Sequence, residues 1–436
     1  MESAGSTSGS VGDAEDEAAE AIAARLAPPP DSHTGLPAPE PLLPHEPAGL
    51  AALSDRFPGA DGARAVASLG VVLTHVGLLS GFNFSQPAVG QYFARADVGV
   101  SIFFVLSGFL LYRPLVVRRF AGQHQGDVGR YARRRALRIF PAYWVALTIV
   151  GFIMKAPGFG DTRSIIEHYL LIQIYDADRV VMGPIDQAWS LATEVSFYIF
   201  LPLWAWLLAR RNPEPRSQLR REVVSLTLLW SGCIALNLAV IAMGVSGPRF
   251  GQFGTWLPFR VHEFAAGMAL AVASAWFAHR GRGLPASWTG TRLVLVCWGA
   301  TLVLFWAVSS QLGFPSSLDF SPTRALSLRI LYSLIGLGFV LPVVMGRQDG
   351  RGIVHTLLAN RVMVWLGLVS YGIYIWHKAF QYKYLEWTNQ IELQANFKGM
   401  LVVTLGLSIV AAAFSWYLIE KPLMRRRDRV RTGRTA

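Results

Sequence analysis

Residues 61–82 read DGARAVASLGVVLTHVGLLSGF, an apolar stretch long enough to cross a bilayer as one helix. Two ionisable residues interrupt it, Arg64 and His75. The eleven steps between them turn a helix by about 1100°, roughly 20° past three whole turns, so both side chains lie on one face about 16 Å apart. His75 therefore lies deep in the hydrocarbon layer, where an ionisable group is costly and is by default a candidate functional residue.

The composition predicts an all-α polytopic membrane protein, a bundle of about ten transmembrane helices. The chain has 436 residues, of which 52% are hydrophobic, and a formal net charge of +12. Most basic residues crowd into a few loops, so membrane topology explains the charge and nucleic-acid binding is not expected. The expected spans are about 63–82, 97–113, 139–156, 188–208, 223–243, 257–278, 291–310, 326–345, 361–384 and 398–419.

The loops alternate between arginine-rich and arginine-poor. By the positive-inside rule this places both termini in the cytoplasm, with the bundle in the plasma (inner) membrane. The segment IIEHYLLIQIY, residues 165–175, is too short to span, so we expect a re-entrant or interfacial helix in a long external connection. Residues 1–55 are expected to form a disordered cytoplasmic tail, residues 56–424 the transmembrane domain and residues 425–436 a basic cytoplasmic tail.

Ionisable residues within the spans suggest an acyl-transfer site. Arginines at the inner rim could hold the phosphates of a cytoplasmic donor through charge-assisted hydrogen bonds. His75 could act as a general base on an acceptor hydroxyl, while Glu194, about 9 Å below the outer surface, could orient its imidazole. Arg64 would position or stabilise the donor end. The two cysteines, Cys233 and Cys297, show no zinc-ligand spacing, and no metal is expected.

Other interpretations remain open at this stage. His75 could be an interhelical hydrogen-bonding group, and the arginine run at 133–135 could be only a topology signal. Arg260 and Glu263 are i, i+3 neighbours and could form a structural ion pair. A transporter could also carry such charges, although no internal repeat is visible. Acylation of a secondary metabolite at the cytoplasmic face and an inactive scaffold are further alternatives.

Seven motifs together resemble the acyltransferase 3 family of integral membrane O-acyltransferases. They cover about residues 58–424 and occur in the family's order. The motifs are DGARAVASLGVVLTH (61–75), DVGVSIFFVLSGFLLYRP (97–114), YARRRALRIFPAYW (131–144), WSLATEVSFYIFLP (189–202), RVHEFAAGM (260–268), LGLVSYGIYIWH (366–377) and IEKP (419–422).

This resemblance implies a donor, a set of acceptors and residue roles. The family's donor is usually cytoplasmic acetyl-CoA, and its acceptors include surface sugars, glycolipids and natural products. By position His75 would be the catalytic histidine, Arg64 its helix partner and Arg138 part of the cluster near the donor. Ala63 stands where the family usually has leucine, which is a conservative departure. The sequence shows no external SGNH-type hydrolase domain, so the acyl group would be delivered directly.

We therefore expect an O-acyltransferase that moves an acyl group, with acetyl as the expected group, from acyl-CoA to a hydroxyl of a cell-envelope saccharide or glycolipid. No resident cofactor is expected, and the oligomeric state is left open. The catalytic residues would be His75, Glu194 and Arg64. The donor would contact Arg133, Arg134, Arg135 and Arg138. The acceptor would contact Trp189, Ser190, Arg260, Glu263, Tyr374 and His377.

Overall fold

The computed structural model describes residues 57–123, 126–156, 159, 161–176, 183–209, 214–281, 290–312 and 321–429. The expected N-terminal tail and the last seven residues of the expected C-terminal tail lie outside these ranges. The described residues form helices and turns and contain no β-strand. The chain is therefore an all-α membrane protein, as the sequence predicts.

Each of the ten expected spans has a long helix in the described ranges. Nine are long and apolar enough to cross a membrane, and the exception is the ninth helix, whose aromatic, histidine and lysine residues lower its mean hydropathy. The cytoplasmic location of the termini remains a prediction. The helices are α1 Gly59–Leu79, α2 Gly99–Phe120, α3 Val128–Thr148, α4 Trp189–Leu208, α5 Pro215–Ala242, α6 Leu257–His279, α7 Thr291–Ser310, α8 Pro322–Met345, α9 Arg361–Thr388 and α10 Phe397–Ser415.

Short helical segments complete the described connections. The last turns of α3 and α10 pass into π-helical turns, which are rare in proteins and often lie at functional sites. The π-helical turns are Ile149–Ile153 and Trp416–Glu420, and the other short segments are Phe82–Ser85, Pro87–Ala94, Ala96–Val98, Thr162–Leu170, Gln173–Tyr175, Asp186–Ala188, Gly247–Phe253, Ile353–Leu358 and Lys421–Arg429.

The connection between α3 and α4 contains the segment that the sequence predicts to be too short to span. Its helix Thr162–Leu170 has nine residues and ends where Leu171 adopts a left-handed backbone, with φ of 57°. It packs against α3, since the Trp144 indole nitrogen donates to the Tyr169 carbonyl oxygen at 2.9 Å. The short length is as expected, and its placement at the external face remains a prediction.

Two helix pairs cross with their backbones in close contact, which small residues allow in membranes. In α2 and α6, a Cβ added at Gly108 or Gly267 would meet the facing backbone at less than 3.0 Å. In α1 and α9, a Cβ added at Gly367 would meet the backbone of Asp61 in the same way. These close crossings fix α2 against α6 and α1 against α9, and they position the polar residues described below.

Candidate active site

A partly open cavity lies among α1, α2, α3, α4 and α9. Its wall combines cationic, carboxylate, hydroxyl and aromatic side chains, although it lies within a membrane domain. Six of the residues expected at the site line it, namely Arg64, Arg135, Arg138, Ser190, Glu194 and Tyr374. The structure thus brings together residues from four of the motifs noted in the sequence.

The arginines expected to hold the donor divide into two groups. Arg135 and Arg138 lie three residues apart on one face of α3 and line the cavity, where the Arg135 guanidinium carbon is 5.8 Å from the centre of the Tyr198 ring. Arg133 is exposed and Arg134 is half-buried, and neither belongs to the cavity wall. Only the first two are therefore placed to touch a ligand in this cavity.

Arg64 adds a third guanidinium to the cavity from α1. Its Nη1 lies 2.6 Å from Oδ1 of Asp61, an i, i+3 ion pair at the first turns of the helix. This pair fixes the side chain, while the guanidinium keeps donors for a further partner because an arginine has five N–H groups.

Glu194 lies in the cavity with two hydroxyl donors. Its Oε1 accepts hydrogen bonds from Ser107 Oγ at 2.5 Å and from the Tyr198 hydroxyl at 2.8 Å. The expected contact between Glu194 and His75 is not formed in the described part of the chain, because α4 presents this carboxylate to α2 whereas His75 faces α9. Ser107 was not among the expected site residues, and only its pairing across 87 residues reveals its polar role.

His75 instead contacts His377. Nε2 of His377 lies 3.0 Å from Nδ1 of His75, and Nδ1 of His377 donates to the carbonyl oxygen of Tyr374 at 2.7 Å. His377 is fully buried, and His75 is half-buried. His377 was expected at the acceptor. In the structure each histidine lies 16 residues after the first residue of its helix, whereas the expected span bounds gave offsets of 12 and 16.

Tyr374 joins the cavity to this histidine pair. Its hydroxyl lies 2.7 Å from Ser190 Oγ and donates to the Gln187 carbonyl oxygen at 3.1 Å. The Gln187 amide nitrogen donates in return to the carbonyl oxygens of Tyr374 at 3.1 Å and Ile375 at 2.8 Å. Gln187, which sequence reasoning missed, therefore ties the start of α4 to the middle of α9.

Arg260 and Glu263 form the ion pair that the sequence analysis kept as an alternative. Their side chains are 3.0 Å apart, and Glu263 is fully buried. Arg260 also donates to the Gly254 carbonyl oxygen at 2.6 Å and stacks on the Trp189 ring at 4.8 Å. Trp189, Arg260 and Glu263 were all expected to contact the acceptor, but none of them lines the cavity. Their geometry is that of a structural cluster, and contact with the acceptor remains a prediction for them.

Comparison with known proteins gives one family and several relatives. Residues 57–420 match the family model described as an acyltransferase domain. The acyltransferase MdmB of Streptomyces mycarofaciens is 24% identical over 402 residues, which cover 87% of this chain and 95% of the relative. No solved structure matches the chain.

Two further relatives are longer than this chain. A protein of Staphylococcus aureus strain COL, provisionally named O-acetyltransferase SACOL0978, is 23% identical over 85% of this chain. The Bacillus subtilis protein YrhL, provisionally named a peptidoglycan O-acetyltransferase, is 25% identical over 84%. The chain spans only about half the length of these two, 57% and 55%.

The family match covers nearly the whole described bundle and includes His75, Arg64 and every residue of the cavity. The chain therefore belongs to this acyltransferase family and is a membrane-embedded acyltransferase.

Proposed function

We propose that the protein moves an acyl group, with acetyl as the expected group, from a cytoplasmic acyl-CoA to a hydroxyl of a cell-envelope saccharide or glycolipid. The observation that carries this proposal is the cavity itself, which joins three guanidinium groups to a carboxylate and several hydroxyls inside the bundle. The names of the Staphylococcus and Bacillus relatives support O-acetyl transfer, and the latter names a saccharide polymer as acceptor.

The cationic part of the cavity suits the donor. Arg135 and Arg138 lie in the first half of α3, up to its midpoint, and Arg64 lies near the start of α1; the arginine-rich loops predict that both helices begin at the cytoplasmic side. A guanidinium binds phosphate oxygens through two parallel hydrogen bonds, which suits the diphosphate and phosphate groups of CoA. The thioester would then extend past Ser107 and Glu194 toward α9.

The chemistry requires a base at the acceptor hydroxyl. The hydroxyl oxygen attacks the thioester carbonyl carbon as its proton passes to His75, and the C–S bond then breaks. The thiolate of CoA takes the proton from His75, so the products are an ester and free CoA. General-base catalysis of this kind contributes about 10²- to 10⁴-fold in rate.

The proposal is tested by mass spectrometry of envelope glycans, glycolipids and secreted metabolites. The host strain lacking the gene is complemented with the wild-type protein, with His75→Ala or with the control His355→Ala. His355 is half-buried in the short helix before α9 and lies outside the cavity. We expect one saccharide or glycolipid to lose a single acyl mass in the deletion and in His75→Ala only.

Two results would contradict the proposal. An acyl mass lost from a secreted metabolite alone would move the acceptor to a secondary metabolite. Full acylation with His75→Ala, at normal protein levels in the membrane, would remove His75 from the reaction.

A further inference from the structure

We infer that His377 is a positioning residue that holds His75 in the tautomer protonated on Nδ1, and so leaves Nε2 of His75 as the basic nitrogen. The inference rests on the proposed function of His75 as the base. It replaces Glu194, the residue that sequence analysis placed behind the imidazole, with a second histidine and a main-chain carbonyl.

The first step fixes the proton on His377. A carbonyl oxygen can only accept a hydrogen bond, so the 2.7 Å contact to the Tyr374 carbonyl oxygen requires a proton on Nδ1 of His377. A neutral imidazole carries one proton, which leaves Nε2 of His377 as an acceptor. His377 is 0% exposed, and a buried charge without a counter-ion is costly, so the neutral form is favoured.

The nearest cation on the same helix does not alter this assignment. Lys378 follows His377 in sequence, and its amino group is paired with the Asp186 carboxylate in the connection before α4. The positive charge of Lys378 is therefore compensated by a residue other than the histidine. No carboxylate contacts either imidazole in the described part of the chain.

The second step fixes the proton on His75. Because Nε2 of His377 is an acceptor, the atom 3.0 Å away, Nδ1 of His75, must donate. A neutral His75 then has its free lone pair on Nε2. When this nitrogen takes a proton from the acceptor hydroxyl, the resulting imidazolium keeps its Nδ1–H bond to His377, which is the role of the third group in hydrolase triads.

The surrounding helices hold this arrangement in place. The backbones of α1 and α9 are in contact at Gly367, and this contact fixes the positions of the two histidines relative to each other along the helices. The Tyr374 carbonyl that orients His377 also accepts from the Gln187 amide at 3.1 Å. The orienting oxygen is thus fixed from α9 and from the segment before α4.

Nitrogen NMR on the full-length protein in lipid nanodiscs, labelled with ¹⁵N-histidine, reads the tautomer directly. The signals of His75 are assigned by their loss in His75→Gln. We expect Nδ1 of His75 to be protonated in the wild-type protein, and His377→Ala to shift the population toward the Nε2–H form. His377→Gln is expected to preserve the Nδ1–H form, because its amide oxygen can accept from His75 while its NH₂ donates to Tyr374.

Kinetics with acetyl-CoA give a second readout. We expect His377→Ala to lower kcat by about 10- to 100-fold, within the contribution of a general base, while the KM for acetyl-CoA changes less than about two-fold. His377→Gln should recover most of this loss, and the control His355→Ala should match the wild-type protein. Release of CoA thiol measures both constants.

The two proposals fail separately. A wild-type protein that releases no CoA from acetyl-CoA with any envelope acceptor would contradict the proposed function. A proton on Nε2 of His75 in the wild-type protein, or an Nδ1–H form unchanged by His377→Ala, would overturn the positioning role even if acyl transfer is normal.

Discussion

Replacing Gly267 with alanine tests the close crossing of α2 and α6. A Cβ at this position would lie 2.8 Å from the backbone nitrogen of Phe109 and closer still to the carbonyl oxygen of Val105. Ordinary van der Waals contact begins at 3.4 Å, and both obstacles are backbone atoms that no rotamer change can move. The two helices must therefore separate by more than about half an ångström, since packed interiors have no spare room.

The cost of this separation sets the expected size of the effect. Inserting a methyl group into a packed core costs about 1–3 kcal/mol. With an unfolding entropy of about 2.1 cal/mol/K per residue, a chain of 436 residues shifts by about 1 °C per kcal/mol, so the apparent unfolding temperature should fall by about 1–3 °C. Ser107 lies next to Gly108 on α2 and bonds Glu194, so the shift should also reduce acyl transfer.

Gly232→Ala is the matched control. Gly232 lies within α5 and has nothing within 4 Å of an added Cβ. The same substitution there should stabilise the helix by about 0.5–1 kcal/mol, because alanine loses less backbone entropy than glycine. The two variants are thus expected to change stability with opposite signs.

A thiol-reactive dye follows unfolding in detergent. The assay uses a Cys297→Ser background, because Cys297 is only half-buried; the remaining Cys233 is 3% exposed and reacts when the helices open. An unfolding temperature for Gly267→Ala equal to or above that of Gly232→Ala would refute the argument from backbone contact.

Three further substitutions test separate parts of the site. Arg138→Gln should raise the KM for acetyl-CoA by about 10-fold or more, because a hydrogen bond to a charged group contributes about 1.5–3 kcal/mol. The control Arg133→Gln, at an exposed position, should leave this KM unchanged. Equal effects of the two substitutions would argue against phosphate binding in the cavity. Arg260→Gln leaves the buried Glu263 without its paired arginine and should lower the free energy of unfolding by about 3–5 kcal/mol, which the unfolding temperature reports. Normal stability together with lost acyl transfer would instead indicate that Arg260 binds the acceptor. Tyr374→Phe removes the hydroxyl but keeps the main-chain carbonyl that orients the histidine pair, so kcat should fall less than about 10-fold in the thiol-release assay. A larger loss would show that the hydroxyl, and not only the carbonyl, is needed for the reaction.

The helices of the bundle were predictable because each span is a local property of the chain. A run of about 20 apolar residues has few alternatives in a bilayer, since every backbone polar group must be satisfied within the segment. The placement of Arg64 and His75 on one face follows from helix geometry alone. The arginines on α3 were predicted as a group, but their division between cavity and exterior depends on which face of α3 meets α4.

The pairing between helices was not predictable in the same way. His75 and His377 are 302 residues apart, and Ser107 and Glu194 are 87 apart, so their contacts depend on how the helices pack. Glycines that decide the packing, such as Gly367, carry no signal of which helix they meet. The expected contact between Glu194 and His75 is not formed among the described residues, because similar depth in the membrane does not say which helices are neighbours.

The hydrogen bonds that lead from His75 through His377 end at a main-chain carbonyl, and this determines whether protons can pass along them. A hydrogen-bonded chain conducts protons only if each member can both release and receive one. The Tyr374 carbonyl oxygen can accept a hydrogen bond but has no proton to pass on. A proton that His75 takes up in the proposed reaction cannot leave by this route. No proton can therefore cross the bundle along the hydrogen bonds from His75 through His377 to Tyr374.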